Sequence, residues 1–90
     1  MRLDEFIKAS RLLRSRSLAK RACDLGIVKI DVKAVKASKE VAVGQRIVLD
    51  LPIRYIEAEV LALPGGKNVS RKAGRELVRV IIQKERDIDL

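Results

Sequence analysis

Basic residues are concentrated near the start of the chain, where four of them lie within ten residues: Arg11, Arg14, Arg16 and Lys20. Ser15 and Ser17 lie in the same stretch. A planar guanidinium group can bond two phosphate oxygens at once, and serine hydroxyls can donate to phosphate as well. This combination indicates binding of a phosphodiester backbone and not the breaking of a bond.

The residues that the chain lacks exclude several kinds of chemistry. There is no His and one Cys among the 90 residues. Ser-His-Asp and Cys-His catalytic arrangements are therefore excluded, and so is a tetrahedral zinc site. A single Cys cannot form an internal disulfide, which is consistent with a reducing compartment. We expect a cytoplasmic protein that is not an enzyme and has no metal and no cofactor.

Neither a signal peptide nor a membrane span is expected. Asp4 and Glu5 stand where a signal peptide needs an apolar run. The longest uncharged stretch is also far shorter than the roughly 20 residues that a membrane-spanning helix requires.

Positive charge is placed unevenly along the chain. The formal net charge is +8, and residues 1–39 carry 11 basic and 4 acidic side chains, whereas residues 40–90 carry 9 and 8. A one-sided positive field is typical of a protein with a polyanionic partner. The alternative interpretation is a surface that only keeps the protein soluble.

Two short helices are predicted in the basic half. Apolar residues at helical spacing predict the first over residues 4–13, with Asp4 as its N-cap. A second helix over residues 18–25 would be capped by Ser15 or Ser17 and end at Gly26. Its buried stripe is predicted from the apolar spacing at Leu18, Ala19, Ala22, Cys23 and Leu25. Cys23 is accordingly interpreted as a small buried residue.

The rest of the chain predicts mainly strands. Residues 27–33, 47–51 and 56–60 alternate between apolar and polar side chains. Ser70 is expected to cap a short helix over residues 71–77, residues 78–82 suit a helix or a strand, and residues 84–90 are expected to fray. The predicted fold class is α+β, with two short helices packed on a small, mostly antiparallel sheet.

The scarcity of aromatic residues favours one class of nucleic acid. Phe6 and Tyr55 are the only aromatic residues, and we interpret both as core or core-edge side chains. Single-strand binders stack bases on several aromatic rings, and readers of DNA sequence insert a helix into the major groove. Structured RNA is recognised largely by shape and by phosphate and 2′-hydroxyl contacts, which favours RNA as the partner.

Several short motifs occur in an order that resembles a known module. Arg2-Leu3-Asp4-x-Phe6-Ile7 is followed by Ser10-Arg11, Arg16-Ser17-x-Ala19 and Gly26-x-Val28. Lys36-Ala37-Ser38-x-x-Val41-x-x-Gly44 and Ile47 continue the pattern. Over residues 1–51 the chain resembles the RNA-binding domain named after the fourth protein of the small ribosomal subunit.

The size of the chain and its tail resemble the short stand-alone carriers of that domain, which are the RqcP (formerly YabO) group and the heat-shock protein fifteen group. The similar tail pattern is Asn68-Val69-Ser70-Arg71-Lys72-Ala73 followed by Glu76-Leu77. The resemblance implies two helices packed on a curved sheet. Residues 1–63 would form the RNA-binding domain, and residues 64–90 a partly ordered C-terminal extension.

The resemblance also implies a function. It is that of a non-enzymatic factor that binds large-subunit ribosomal RNA and peptidyl-tRNA, on large subunits blocked by a stalled nascent chain. The implied RNA contacts are Arg2, Ser10, Arg11, Arg14, Ser15, Arg16 and Lys20, with Lys36 and Lys39 at the periphery. We expect a monomer. The alternatives are an RNA-binding accessory subunit of a separate RNA-modifying enzyme and a general nucleic-acid-binding protein.

Two positions depart from the family pattern. Asp31-Val32 stands where the family's hairpin usually has Asn-Gly, and Gln45 replaces the Asp that usually follows Gly44. Because Val is poorly suited to positive φ, the turn is expected to differ from the usual one or to shift towards Lys33-Ala34.

Overall fold

Three helices and five strands make up the part of the chain that the computed structural model describes, which is residues 1–66 and 68–86. The helices are α1 (Leu3–Ala9), α2 (Arg16–Asp24) and α3 (Arg71–Arg75). The strands are β1 (Val28–Ile30), β2 (Lys33–Ala34), β3 (Arg46–Asp50), β4 (Arg54–Val60) and β5 (Val78–Glu85). They form a sheet in the order β2-β1-β3-β4-β5, in which each pair of neighbouring strands is antiparallel.

The predicted α+β class is confirmed, and alternation along the strands explains how the sheet meets the helices. Ile56, Ala58 and Val60 of β4 are buried, whereas Glu57 and Glu59 between them point to the other face. The buried strand residues form one core with Leu3, Phe6 and Ile7 of α1. Tyr55 is half-buried on the sheet face away from this core.

The first helix differs from the prediction at both ends. It begins at Leu3 after Arg2, so Asp4 is not its N-cap and lies buried within its first turn. It ends at Ala9, because Arg11 has a φ of 63° and turns the chain out of the helical path. Leu12 still enters the core from the bend that follows.

The caps of the second helix are confirmed, but its predicted buried face is partly wrong. The Ser15 hydroxyl oxygen accepts a hydrogen bond from the backbone N–H of Leu18 (3.1 Å), and Gly26 has a φ of 75° just beyond the helix. The buried residues of α2 are Ala19, Ala22 and Cys23. Leu18 and Leu25 are 40% and 68% exposed, because contact through the three small side chains leaves the leucines at the edges of the interface.

The first hairpin turns at Asp31-Val32, between the paired residues Ile30 and Lys33. The residue with positive φ is Asp31 (57°), not Val32, and aspartate tolerates this conformation far better than a β-branched residue. The Asp31 carboxylate also accepts a hydrogen bond from the backbone N–H of Arg46 (3.3 Å). The turn therefore lies at Asp31-Val32, and the alternative of a shift towards Lys33-Ala34 is wrong.

The C-terminal part contributes a strand to the same sheet. The Ser70 hydroxyl caps α3 as expected, accepting from the N–H of Ala73 (3.1 Å), and the helix ends at Arg75 instead of residue 77. Residues 78–82 are strand, and β5 pairs with β4 as far as Glu85. Residues 87–90 of the segment expected to fray lie outside the described residues. The division of the chain at residue 63 stays a prediction.

No helix in residues 1–66 and 68–86 is long and apolar enough to cross a membrane.

Candidate nucleic-acid interface

A buried carboxylate lies at the centre of the basic helical region. Asp4 is 1% exposed and receives hydrogen bonds from two arginines that are far apart in sequence. Arg2 donates from Nε (3.2 Å) and Nη2 (3.3 Å), and Arg16 donates from Nε (3.3 Å). The backbone N–H of Glu5 adds a bond of 2.9 Å. A buried charge is tolerated when it is paired and hydrogen-bonded in this way.

The same contacts keep Asp4 ionised. Burial alone would raise the pKa of this carboxyl, but the hydrogen bonds from Arg16, Arg2 and the Glu5 backbone outweigh burial and hold the pKa below its ordinary value. At neutral pH the carboxylate is therefore a fixed negative charge that orients both guanidinium groups.

The two arginines are held in place but are not enclosed. Arg2 and Arg16 are 40% and 50% exposed, and Nη2 of Arg16 also lies 3.4 Å from the Glu5 carboxylate. Nη1 of Arg2 and Nη1 of Arg16 donate no hydrogen bond to any of the described residues. Of the basic residues predicted to cluster near the start of the chain, Arg16 belongs to an ion cluster of balanced formal charge with Arg2, Asp4 and Glu5, and it stays half exposed. Arg11 and Arg14 are exposed and lie outside this ion cluster.

Net positive charge comes from other side chains around this ion cluster. On α1, on α2, in the bend between them and in the segment beside α1, six exposed basic side chains have no carboxylate within 4 Å among the described residues: Lys8, Arg11, Arg14, Arg21, Lys36 and Lys39. Lys20 lies 3.5 Å from the Asp24 carboxylate on the helix surface, and an exposed pair of this kind is weak. Lys20 thus remains available to a stronger anion.

Arg11 links the helical region to the C-terminal part of the chain. Its Nη2 donates to the Val69 carbonyl oxygen at 3.0 Å. A groove of about 570 Å³ runs between α1 and residues 68–70, and its cationic lining consists of Lys8, Arg11 and Arg16. Lys8 is missing from the predicted set, because an isolated lysine on a helix surface gives no sign of a groove that a distant segment completes.

The two predicted serine contacts differ in their surroundings. Ser15 is half-buried at the start of α2, and capping uses its oxygen as an acceptor, which leaves the hydroxyl hydrogen free to donate. Ser10 is 3% exposed, and its hydroxyl donates to the Ile7 carbonyl at 3.3 Å. Ser10 thus closes the end of α1, and its contact with RNA stays a prediction.

The hairpin section lies against the start of α1. The N–H of Leu3 donates to the Lys39 carbonyl (2.8 Å), and the N–H of Asp4 donates to the Ala37 carbonyl (3.1 Å). Lys36 and Lys39 are exposed in this segment. Their backbone therefore borders the helical region, which is compatible with the peripheral role expected of them.

The opposite face of the sheet is nearly balanced in charge. Its arginines pair with carboxylates on neighbouring strands, as in Arg46 with Glu57 (3.4 Å) and Arg79 with Glu59 (2.6 Å). The six unpaired cations named above lie outside this face, on the helices, the bend between them and the segment beside α1, whereas Lys29 of β1 and Lys84 of β5 lie on it without a carboxylate within 4 Å in the described part of the chain. The helical side is therefore the candidate interface for a polyanion.

Comparisons with known proteins agree with this fold. Residues 1–47 match the S4 domain family. The chain is 39% identical over 72 residues to the RQC P-site tRNA stabilizing factor of Helicobacter pylori, covering 80% of this chain and 86% of that protein. It is 31% identical over 86 residues to the protein of the same name from Bacillus subtilis, covering 96% of each.

Two solved structures share the architecture. The trimeric structure of Vibrio cholerae heat shock protein 15 matches with a TM-score of 0.77 and 25% identity, over 89% of this chain and 80% of that one. The solution structure of the hypothetical protein HP1423 matches with a TM-score of 0.77 and 33% identity, over 93% and 100%. Because residues 1–47 match the S4 domain and the relatives named above are 39% and 31% identical, this chain belongs to the S4 domain family.

Proposed function

We propose that this protein binds structured ribosomal RNA together with peptidyl-tRNA on the large ribosomal subunit, and that it acts in quality control of stalled nascent chains without catalysing a reaction. The observation that carries this function is the pair of arginines fixed by Asp4, surrounded by cations without carboxylate partners. The relatives named RQC P-site tRNA stabilizing factor support it. Such a role places the protein in the cytoplasm.

The mode of recognition follows from the side chains available. The outward edges of Arg2 and Arg16 would donate to phosphate oxygens, and Arg14 would add a cation at the bend before α2. The first N–H groups of α2 favour an anion at the same place. With two aromatic residues in the whole chain, contacts with the RNA backbone and its shape are favoured over base stacking.

Stabilising a bound tRNA requires no catalysis. A small basic protein that contacts ribosomal RNA and tRNA at the same time adds a second attachment to the tRNA, and the second attachment slows release through a high effective concentration. We expect the protein to act as a monomer in this role.

Co-sedimentation with large ribosomal subunits tests the proposal. Wild-type protein is expected to migrate with large subunits that carry peptidyl-tRNA in a sucrose gradient, and Arg16→Ala is expected to shift to the free fraction. Arg79→Ala is a matched control, since Arg79 lies on the opposite sheet face and pairs with Glu59. Failure of the wild-type protein to bind stalled large subunits would refute the function.

A competition experiment and an affinity purification separate the two alternative functions from the proposed one. A general nucleic-acid-binding protein would bind duplex DNA and folded ribosomal RNA equally well at the same salt concentration. An accessory subunit would be recovered repeatedly with one RNA-modifying enzyme and without ribosomal RNA.

A further inference from the structure

The C-terminal helix packs directly on the end of α1. Gly74 of α3 is buried, and a Cβ atom at this position would overlap the Ala9 carbonyl oxygen. The same Cβ would also lie 3.4 Å from Cγ of Arg11. Glycine is therefore required for α3 to approach this closely, and the approach places α3 against the Arg11 side chain.

Both the backbone and the side chain of Arg11 are restrained. Its backbone has a φ of 63°, a conformation that costs free energy for a residue other than glycine. Its guanidinium group donates to the Val69 carbonyl just before α3. Arg11 therefore lies between the groove beside α1 and a second surface, which α3 forms on the other side of Arg11.

That other side is a second groove of about 300 Å³. Its cationic lining consists of Arg11, Arg54 of β4 and Arg75 of α3, and its floor includes Leu12, Ile56 and Val78. No carboxylate belongs to its lining within the described part of the chain. Arg75 has no carboxylate within 4 Å among those residues, and Arg54 lies 3.4 Å from that of Glu85.

We propose that this second groove binds a further segment of RNA backbone, so that the bound RNA contacts the protein on both sides of Arg11 and the C-terminal extension is part of the RNA-binding surface. The inference rests on the proposed function for the identity of the ligand. Guanidinium groups from three separate elements suit phosphate, and an apolar floor suits a ribose or a base edge.

Charge and continuity favour RNA over an acidic protein segment. The cationic side chains that line the first groove are Lys8, Arg11 and Arg16, beside the Glu5 carboxylate that pairs with Arg16. Arg11 lines both grooves. One polyanionic strand can therefore pass from one groove to the other along Arg11, the residue that the two grooves share. An acidic peptide would have to compete with RNA for Arg11.

Substitution of Arg75 tests the inference. The exposed Arg75 side chain forms no hydrogen bond or ion pair among the described residues, so Arg75→Ala should keep the fold. Its affinity for folded ribosomal RNA, measured by fluorescence anisotropy, should fall by about fivefold to tenfold, and the slope of log K against log salt should become shallower by about 1. The matched control Arg79→Ala should change the affinity by less than about twofold.

Arg16→Ala, measured in parallel, distinguishes this inference from the proposed function. Loss of affinity in Arg16→Ala with full affinity in Arg75→Ala would overturn the second groove and leave the proposed function intact. Absence of RNA binding by the wild-type protein would overturn both.

Gly74→Ala tests the geometry without removing a charge. Because the new methyl group displaces α3, its RNA affinity should fall towards that of Arg75→Ala, and the double variant should lose little more. Full affinity in Gly74→Ala would overturn the groove, since Arg75 would then act only as a dispersed charge. If Arg75→Ala weakened the binding of a poly-glutamate peptide but not the binding of RNA, the groove would be a site for a protein partner and the inference would be overturned.

Discussion

The Asp4 side chain determines what Arg2 and Arg16 can do. A free arginine loses up to about 2 kcal/mol of side-chain conformational entropy when a ligand immobilises it. Here that cost is met on folding, because the carboxylate holds both guanidinium groups before RNA arrives. Asp4 is thus a positioning residue for the interface, despite carrying the wrong charge for a polyanion.

Asp4→Asn separates positioning from simple electrostatics. Removal of a negative charge alone would strengthen RNA binding, whereas loss of the ionic hydrogen bonds frees both arginines. We expect RNA affinity to fall severalfold, and stability to fall by about 1–3 kcal/mol in urea unfolding. Tighter RNA binding by Asp4→Asn would contradict the positioning role.

The Cys23 thiol gives a pH-dependent prediction. Burial, with smaller contributions from Asp4 and Asp24, raises its pKa from 9.0 to about 11. Because only the unfolded thiol ionises readily above pH 9, this contribution to stability is complete below pH 9 and is lost between pH 9 and about pH 11.

Wild-type stability should therefore fall by about 1–3 kcal/mol more than that of Cys23→Ala over this pH range, measured by urea unfolding at each pH. The comparison uses the change with pH and not the absolute stability, because the substitution also leaves a small cavity. If the free energy of unfolding changed with pH in the same way for the two proteins, the thiol would not be desolvated in the folded state.

At the scale of elements, the contact between α1 and α2 depends on residue size. Phe6 is fully buried, whereas the face of α2 turned inwards consists of Ala19, Ala22 and Cys23. Close approach of the two helices is what brings Arg16 to Asp4, twelve residues away in sequence.

Two substitutions to alanine measure how much each side chain at the contact between α1 and α2 contributes to stability. Phe6→Ala should destabilise the fold by about 3–5 kcal/mol, whereas Leu18→Ala, at a 40% exposed position, should cost about 1 kcal/mol or less. Chemical denaturation reports both values. A large loss in Leu18→Ala would mean that the leucine, and not the small residues, faces the core.

Local signals predicted some elements well and others poorly. Alternation predicted β3 and β4, because a strand with one buried face repeats every two residues, and Ser15 and Gly26 marked the ends of α2. The end of α1 was missed because Arg11 adopts a positive φ, which an arginine gives no local reason to expect.

The site was predictable in composition but not in arrangement. The arginine-rich stretch indicated a phosphate-binding surface, and that stretch does border α2. The pairing of Asp4 with Arg16 and the packing of Gly74 on Ala9 connect separate elements. No local pattern encodes such contacts, so the second groove could be found only in three dimensions.

Across the whole molecule, charge is separated by face. Cross-strand ion pairs such as Arg46 with Glu57 balance the open face of the sheet, and cations without carboxylate partners border the helices. A molecule of this kind is oriented by the field of a polyanion before contact, because its positive side is attracted first. Both proposed RNA contacts lie outside the balanced face.

The salt dependence of RNA binding is the most direct test of the claim that fixed and unpaired cations on the helical side bind an RNA backbone. For about four neutralised phosphates, we expect log K against log salt to fall with a slope of roughly −3 to −4 in the wild-type protein. The slope should be shallower by about 1 in Arg16→Ala, and unchanged in Arg79→Ala. A slope near zero, or the same slope in Arg16→Ala as in the wild-type protein, would contradict it.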